Sequence, residues 1–245
     1  MMIPIRDHNP SEATPYVTLA LIGVNILVYF WGVATLVTDQ QLGQFYFDYA
    51  LIPVLLSEGH NASALMTSIF LHGGFLHLAG NMLFLWIFGD NMEEEMGHLP
   101  FLAFYLACGI GASLAQYIGD PYSQVPMVGA SGAIAGVMGG YLLLFPKARV
   151  DIFIFFIIFF RILPIPAWIM LGLWFGIQVA GGLVTDTSAG GVAYWAHAGG
   201  FVLGLALTVP LWLRRGGQAY WQRTQGHPPH PEAVYRRSSV PIVRR

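Results

Sequence analysis

Six apolar runs, each near the length needed to cross a bilayer, constrain this chain more than any other feature. They fall at Tyr16–Val37, Ile69–Gly89, Pro100–Gly119, Val125–Phe145, Pro166–Val184 and Val192–Leu213. A hydrocarbon core about 30 Å thick takes about 20 residues of apolar helix. No water reaches backbone N–H and C=O groups there, so a spanning segment closes its hydrogen bonds within itself, as a helix. Composition agrees: 56% of the residues are hydrophobic and 10% are charged, where soluble domains carry about 25% charge. The expected fold is an all-α polytopic membrane protein, a bundle of six transmembrane helices.

A further run, Val150–Leu163, is too short to span and is closed by Arg161, Pro164 and Pro166, so it reads as an interfacial lead-in to the fifth helix. Charge placement supports that count. With the N-terminus inside, Arg6, Lys147, Arg149, Arg161 and seven tail arginines share one side, and the opposite loops 38–68, 120–124 and 185–191 carry no Lys or Arg. That is the positive-inside pattern, and a seventh span would carry the arginine-rich tail outside. The organisation expected is a cytoplasmic N-terminal segment 1–15, a six-helix membrane domain 16–213 and a basic cytoplasmic tail 214–245.

The sequence MMIPIRDHNPSEATP is polar and turn-prone, with no small-x-small cleavage site after the first apolar run, so no removable signal peptide is read. The tail after Leu213 has no apolar period and reads as disordered or as a surface strap. Its position after a span explains its charge better than nucleic acid does. The long first outer loop contains LGQFYFDYALIPVLL, too apolar for full solvation, and is expected to lie in the membrane interface. The setting expected is a cell (inner or plasma) membrane, with both termini cytoplasmic.

Polar groups inside spans are expensive and point to function when they face the protein interior. Those present are His72, His77, Asn81, Gln116, Ser131, Gln178 and His197, with no Asp or Glu deep in any span. A metalloprotease would want His-Glu-x-x-His or a similar set, an aspartate protease its paired acids, and proton-coupled transport an embedded carboxylate. The single cysteine, Cys108, forms neither a disulfide within the chain nor a Cys-rich metal pattern, and no cofactor or metal motif is visible. What remains is a hydroxyl nucleophile with imidazole as its base.

The stretch GASGAIAGVMGG holds Ser131 near the outer end of the fourth run, and His197 lies about a turn inside the sixth, which enters from the same side. Gly132, Gly136 and Gly140 repeat every four residues, as do Ala196, Gly200 and Gly204. Such stripes let helix backbones approach closely. Facing each other, they would bring Ser131 and His197 within hydrogen-bond reach. Taken singly, the stripes are more often plain packing seams, Ser131 can satisfy a backbone carbonyl, and His197 can be an interior histidine. The conjunction shifts the balance. In the second run His77 and Asn81, four apart, share a helical face, and their N–H groups suit an oxyanion, as does the Ser131 backbone amide near a helix start. Asn81 alone would as readily bond a neighbouring loop, and His72 reads as loop support.

These residues resemble the rhomboid family of intramembrane serine proteases. HGGFLHLAGN matches the family's His-x4-His-x3-Asn, GASG its Gly-x-Ser-Gly, and AHAGGFVLG its Ala-His-x-x-Gly-x-x-x-Gly, in order, on the second, fourth and sixth runs. The resemblance covers about Tyr16 to Leu213 and implies a six-helix rhomboid-like bundle. It implies Ser131 as nucleophile, His197 as general base, and His77, Asn81 and the Ser131 amide as oxyanion donors, with Glu93 bracing the inner loop. The implied partners are the lipid bilayer and transmembrane segments of other membrane proteins, cut near the outer surface at small residues in unstable helices. A silent member would typically lack the serine or the histidine, and this chain keeps both. It departs from the family pattern in two places: HNASALM precedes TSIFLH where a Trp-Arg pair is common, and Ala135 stands where an aromatic residue often follows the serine by four.

Overall fold

Backbone self-sufficiency puts most of the apolar sequence into helices. The computed structural model describes residues 2–156, 159–185 and 190–235. Its helices are α1 (Tyr16–Thr35), α2 (Asp39–Tyr49), α3 (Pro53–Ser57), α4 (Ala64–Thr67), α5 (Phe75–Met96), α6 (His98–Gly119), α7 (Ser131–Leu144), α8 (Ala167–Val184), α9 (Tyr194–Arg214) and α10 (Gln218–Thr224). Helices α1, α6, α8 and α9 are each long and apolar enough to cross a membrane, and Ala64–Phe70 with α5 makes a fifth candidate, bent by 93°. The chain is a mostly helical, multi-pass membrane protein.

Two of the apolar runs are not continuous helices. In Ile69–Gly89 the helix breaks at Gly73 and Gly74 and restarts at Phe75, running on to Met96. In Val125–Phe145 it begins only at Ser131. Pro126 lacks the N–H that a preceding turn would use, and Gly129 sits at φ +127°, outside the helical region. The segment instead pairs with the stretch that follows α2: the Met127 N–H donates to the Leu51 carbonyl at 2.8 Å, and the reverse bond is 3.1 Å.

The all-α expectation is corrected by a three-stranded antiparallel sheet ordered β1-β2-β3, from β1 (Met2–Asp7), β2 (Arg149–Phe156) and β3 (Phe159–Pro166). The Val150–Leu163 lead-in is therefore a hairpin. Its β-branched and aromatic residues favour a pleated, half-buried surface, with Val150 opposite Ile165 and Ile152 opposite Leu163. Pro164 and Pro166 fall on the edge strand, where a missing donor costs no ladder bond. Asp151, 3% exposed, is held by Arg6 Nε at 2.7 Å and His8 Nε2 at 2.9 Å. Burial alone would raise its pKa, yet these two partners outweigh it and hold the carboxyl below its ordinary range.

The tail lies over the same end of the bundle as a strap, as far as it is described. In α10, Trp221 Nε1 donates to the Leu143 carbonyl at 3.0 Å, and farther on the Ala233 N–H donates to the His8 carbonyl at 3.0 Å. Arg236, Arg237, Arg244 and Arg245 lie outside the described residues.

Helix α7 is the axis of the bundle, with every residue from Gly132 to Tyr141 buried. The two small-residue stripes do face each other. Gly200 packs on the Gly132 carbonyl, Gly204 on the Gly136 backbone, and Gly139 on the Phe201 carbonyl. At the far end, buried Glu93 of α5 accepts from the Val17 and Thr18 amides at 2.8 and 2.7 Å. It thus satisfies orphan donors at the start of α1, which has no side-chain cap of its own.

Tyr141 of α7 donates to Asp7 Oδ2 at 2.7 Å, tying β1 to the bundle. Burial pushes the Asp7 carboxyl up from 3.8 to about 8, and the Tyr141 bond offsets only part of that rise. The folded state thus holds a proton that the unfolded chain releases near pH 3.8, so this group's stabilisation is full at low pH and fades as pH rises towards 8. Thermal unfolding in detergent should show stability falling between about pH 4 and pH 8, and Asp7→Asn should flatten that slope. An unchanged slope in Asp7→Asn would assign the dependence to other groups.

Candidate active site

The glycine seam fixes two side chains against each other. Ser131 opens α7 and His197 sits in the first turn of α9, with Ser131 Oγ 2.7 Å from His197 Nε2. Its position at the first residue of α7 means that the first-turn amides there have no intrahelical acceptor and point, with the positive helix end, past the hydroxyl.

The imidazole is held on its other side by α8. Nδ1 lies 2.8 Å from Gln178 Oε1, and the Trp174 ring lies 5.8 Å from the imidazole centroid at 34°. Trp174 thus brings an aromatic face to His197 from α8, while Ala135 of α7 is fully buried. Gln116 of α6 accepts from the Ala196 N–H at 3.2 Å, satisfying an otherwise orphan amide in the first turn of α9.

His77 and Asn81 project from the first turns of α5 into the same space. His72, in the break before α5, lies with Nε2 2.9 Å from Asn81 Nδ2, leaving the second amide hydrogen of Asn81 uncommitted by that bond. Beneath them lies Gly129. A Cβ built there would stand 2.8 Å from His77 Cε1 and Nε2, and 3.5 Å from Asn81 Nδ2. Ser131, His197, His77, Asn81, Gln116 and Trp174 all line one cavity of about 540 Å³, a size suited to a bound chain segment or small molecule.

The sequence places Gln116 and Gln178 among the polar groups inside spans but assigns them no role, and nothing in it singles out Trp174. Gln178 and Trp174 are four apart and so share a face of α8, a spacing that singles them out once that face is known to meet His197. The segment TDTSAGG (185–191) has the small and polar residues of a lid; its residues 186–189 lie outside the described residues, and its Gly190 and Gly191 line the cavity. Among the described residues no three His, Cys, Asp or Glu side chains gather to hold a metal ion.

The family model described as Rhomboid domain matches residues 59–214, more than half of the chain, and contains every residue of this cavity except Pro53. The chain belongs to the rhomboid family. It is 30% identical over 194 residues to Rhomboid protein 1, mitochondrial, of Saccharomyces cerevisiae, covering 76% of this chain and 50% of that one. It is 47% identical over 78 residues to Rhomboid protease GluP of Bacillus subtilis, covering 32% of this chain and 15% of that one. RHOMBOID-like protein 5 of Arabidopsis thaliana is 41% identical over 88 residues, covering 36% and 28%. The chain spans half or less of the length of these relatives.

Gly129→Ala in this rhomboid puts a side chain at a positive φ and against the His77 ring. It should destabilise by roughly 1–3 kcal/mol, read as a lower unfolding midpoint. Gly80→Ala, into open space on α5, should leave the midpoint unchanged or slightly raised. Equal midpoints for Gly129→Ala and wild type would contradict the close packing of His77 on Gly129.

Proposed function

We propose that this protein is an intramembrane serine endopeptidase that hydrolyses peptide bonds in or near transmembrane segments of other membrane proteins. The observation that carries the proposal is the 2.7 Å approach of Ser131 Oγ to His197 Nε2 at a helix start facing a cavity. Membership of a family that includes protease-named relatives supports it.

In the reaction, His197 Nε2 takes the Ser131 proton as Oγ attacks the substrate carbonyl carbon. The tetrahedral oxyanion is held by His77, Asn81 and the Ser131 amide. His197 then gives its proton to the leaving amide nitrogen as the C–N bond breaks. Water, deprotonated by the same imidazole, cleaves the resulting ester and returns Ser131 to its hydroxyl form. A substrate helix buries its carbonyls in hydrogen bonds, so the scissile stretch must unwind before attack.

The proposed setting is a six-span membrane domain, 16–213, with α7 as its short fourth member. The N-terminal segment 1–15 and the tail 214–245 are cytoplasmic, and the cavity opens to the outer face of a cell membrane. Fourteen residues of α7 cover about 21 Å, roughly 9 Å less than the hydrocarbon thickness. With the other end of α7 at the inner boundary, Ser131 lies below the outer surface, where water reaches it through the cavity. The sheet and strap gather Arg6, Arg149, Arg161 and Arg215 at the end of α7 away from Ser131, which supports this orientation.

Purified protein in detergent or liposomes should cleave a labelled transmembrane peptide rich in small, helix-destabilising residues. Ser131→Ala and His197→Ala should reduce cleavage to background with the fold intact, and Asn81→Ala should lose roughly 10²–10³-fold. Undiminished cleavage by Ser131→Ala would remove the serine-protease reading.

A further inference from the structure

We propose that Gln178 is a positioning residue, fixing the His197 imidazole in the one tautomer that can take the Ser131 proton. The inference rests on the protease reading above and extends it to a third side chain, on a helix that contributes none of the groups assigned there.

A neutral imidazole has one N–H and one bare nitrogen. A serine hydroxyl can donate only to a bare nitrogen, so the 2.7 Å contact of Ser131 Oγ with Nε2 is productive only when the proton sits on Nδ1. An Nδ1–H turned towards α8 needs an acceptor there, and Gln178 Oε1 stands 2.8 Å from Nδ1. Were the Gln178 amide turned over, its NH₂ would face Nδ1 and force the proton to Nε2. Ser131 would then accept a hydrogen bond and have no base.

The orientation of the amide is set by its own helix. Gln178 Nε2 lies 3.5 Å from the Trp174 carbonyl one turn earlier, and a carbonyl can only accept. Turning the amide over would set two oxygens against each other there. Gln178 is 7% exposed, so water cannot rescue the wrong orientation. The Trp174 ring closes the imidazole's face from the same helix.

No carboxylate competes for this role. Ser131 of α7, Gln178 and Trp174 of α8, and His77 of α5 surround the imidazole, and His77 is the one other titratable side chain among the described residues lining the cavity. In soluble Ser-His-Asp hydrolases an aspartate holds the tautomer, and losing the correct tautomer costs about 10⁴-fold. A buried carboxylate is costly within a membrane. A carboxamide supplies the same acceptor without the charge, and so without its help to the imidazolium formed during attack. Removing that acceptor without supplying a donor lets the tautomers mix rather than enforcing the wrong one, so the loss is smaller, roughly 10- to 100-fold, as when a hydrogen bond orienting a functional histidine is removed.

The test is the ¹⁵N spectrum of histidine-labelled protein in micelles, the His197 signals being those lost in His197→Ala. In the wild type Nδ1 should be protonated and Nε2 bare. In Gln178→Met, of similar length and with no strong acceptor, the two tautomers should mix. The limiting rate of Ser131 labelling by an isocoumarin probe should fall about 10- to 100-fold, with the probe's binding constant unchanged. A wild-type spectrum with the proton on Nε2 overturns the proposal without any variant. So does a Gln178→Met protein with the wild-type spectrum and wild-type limiting rate. A wild-type Ser131 that takes no probe while Nδ1 is protonated overturns the protease reading instead, since the spectrum is read without turnover.

Discussion

Everything else in this molecule depends on the backbone contact between α7 and α9. Lipid tails are as apolar as leucine, so burying side chains between helices gains little over leaving them in lipid. Dispersion and close approach must hold the pair instead. Gly200 against the Gly132 carbonyl and Gly204 against the Gly136 backbone let the axes come nearer than any side chain would permit. That closeness also fixes the register at one end, setting Ser131 opposite His197 rather than a turn away. The same seam that stabilises the bundle therefore sets the geometry of the site.

Around this pair each neighbouring helix supplies one restraint. Gln116 of α6 caps the first turn of α9, Gln178 of α8 meets the far nitrogen of His197, and His72 beside α5 steadies Asn81. Polar groups are few in these apolar helices, and those around the Ser131–His197 pair bond one another or a backbone amide. Such mutual satisfaction makes polar side chains tolerable at depth, and it leaves them with defined directions. At the opposite end, the Tyr141–Asp7 bond, the Glu93 carboxylate and the sheet clamp the termini to the bundle.

Much of this was legible in the sequence, for reasons that differ by element. The long helices follow from run length and the bilayer's demand on the backbone, and the facing of the two stripes from a four-residue repeat. The start of α7 at Ser131 was obscured because Val125–Ala130 is apolar like a span, although Pro126 and Gly129 mark the break. The sheet was missed because β1 is six residues long and its partner lies on the far side of the membrane-embedded sequence. An apolar run such as Val150–Leu163 also looks the same in a helix, a strand or an interface. Gln178 was visible as a polar residue in a span, but only the packing of α8 on α9 gives it a partner.

The most direct test of the link between seam and site is the labelling rate of Ser131 by a fluorophosphonate, located by peptide mapping, in wild type, Gly200→Ala and Gly176→Ala. Gly200 touches the Gly132 backbone, whereas a methyl group on Gly176 meets open space. The expected result is prompt labelling in wild type and Gly176→Ala, with a loss of up to about 100-fold in Gly200→Ala, the cost of moving reacting groups apart by about 1 Å. Equal labelling of all three proteins, or none in the wild type, would contradict a site built by the α7–α9 contact.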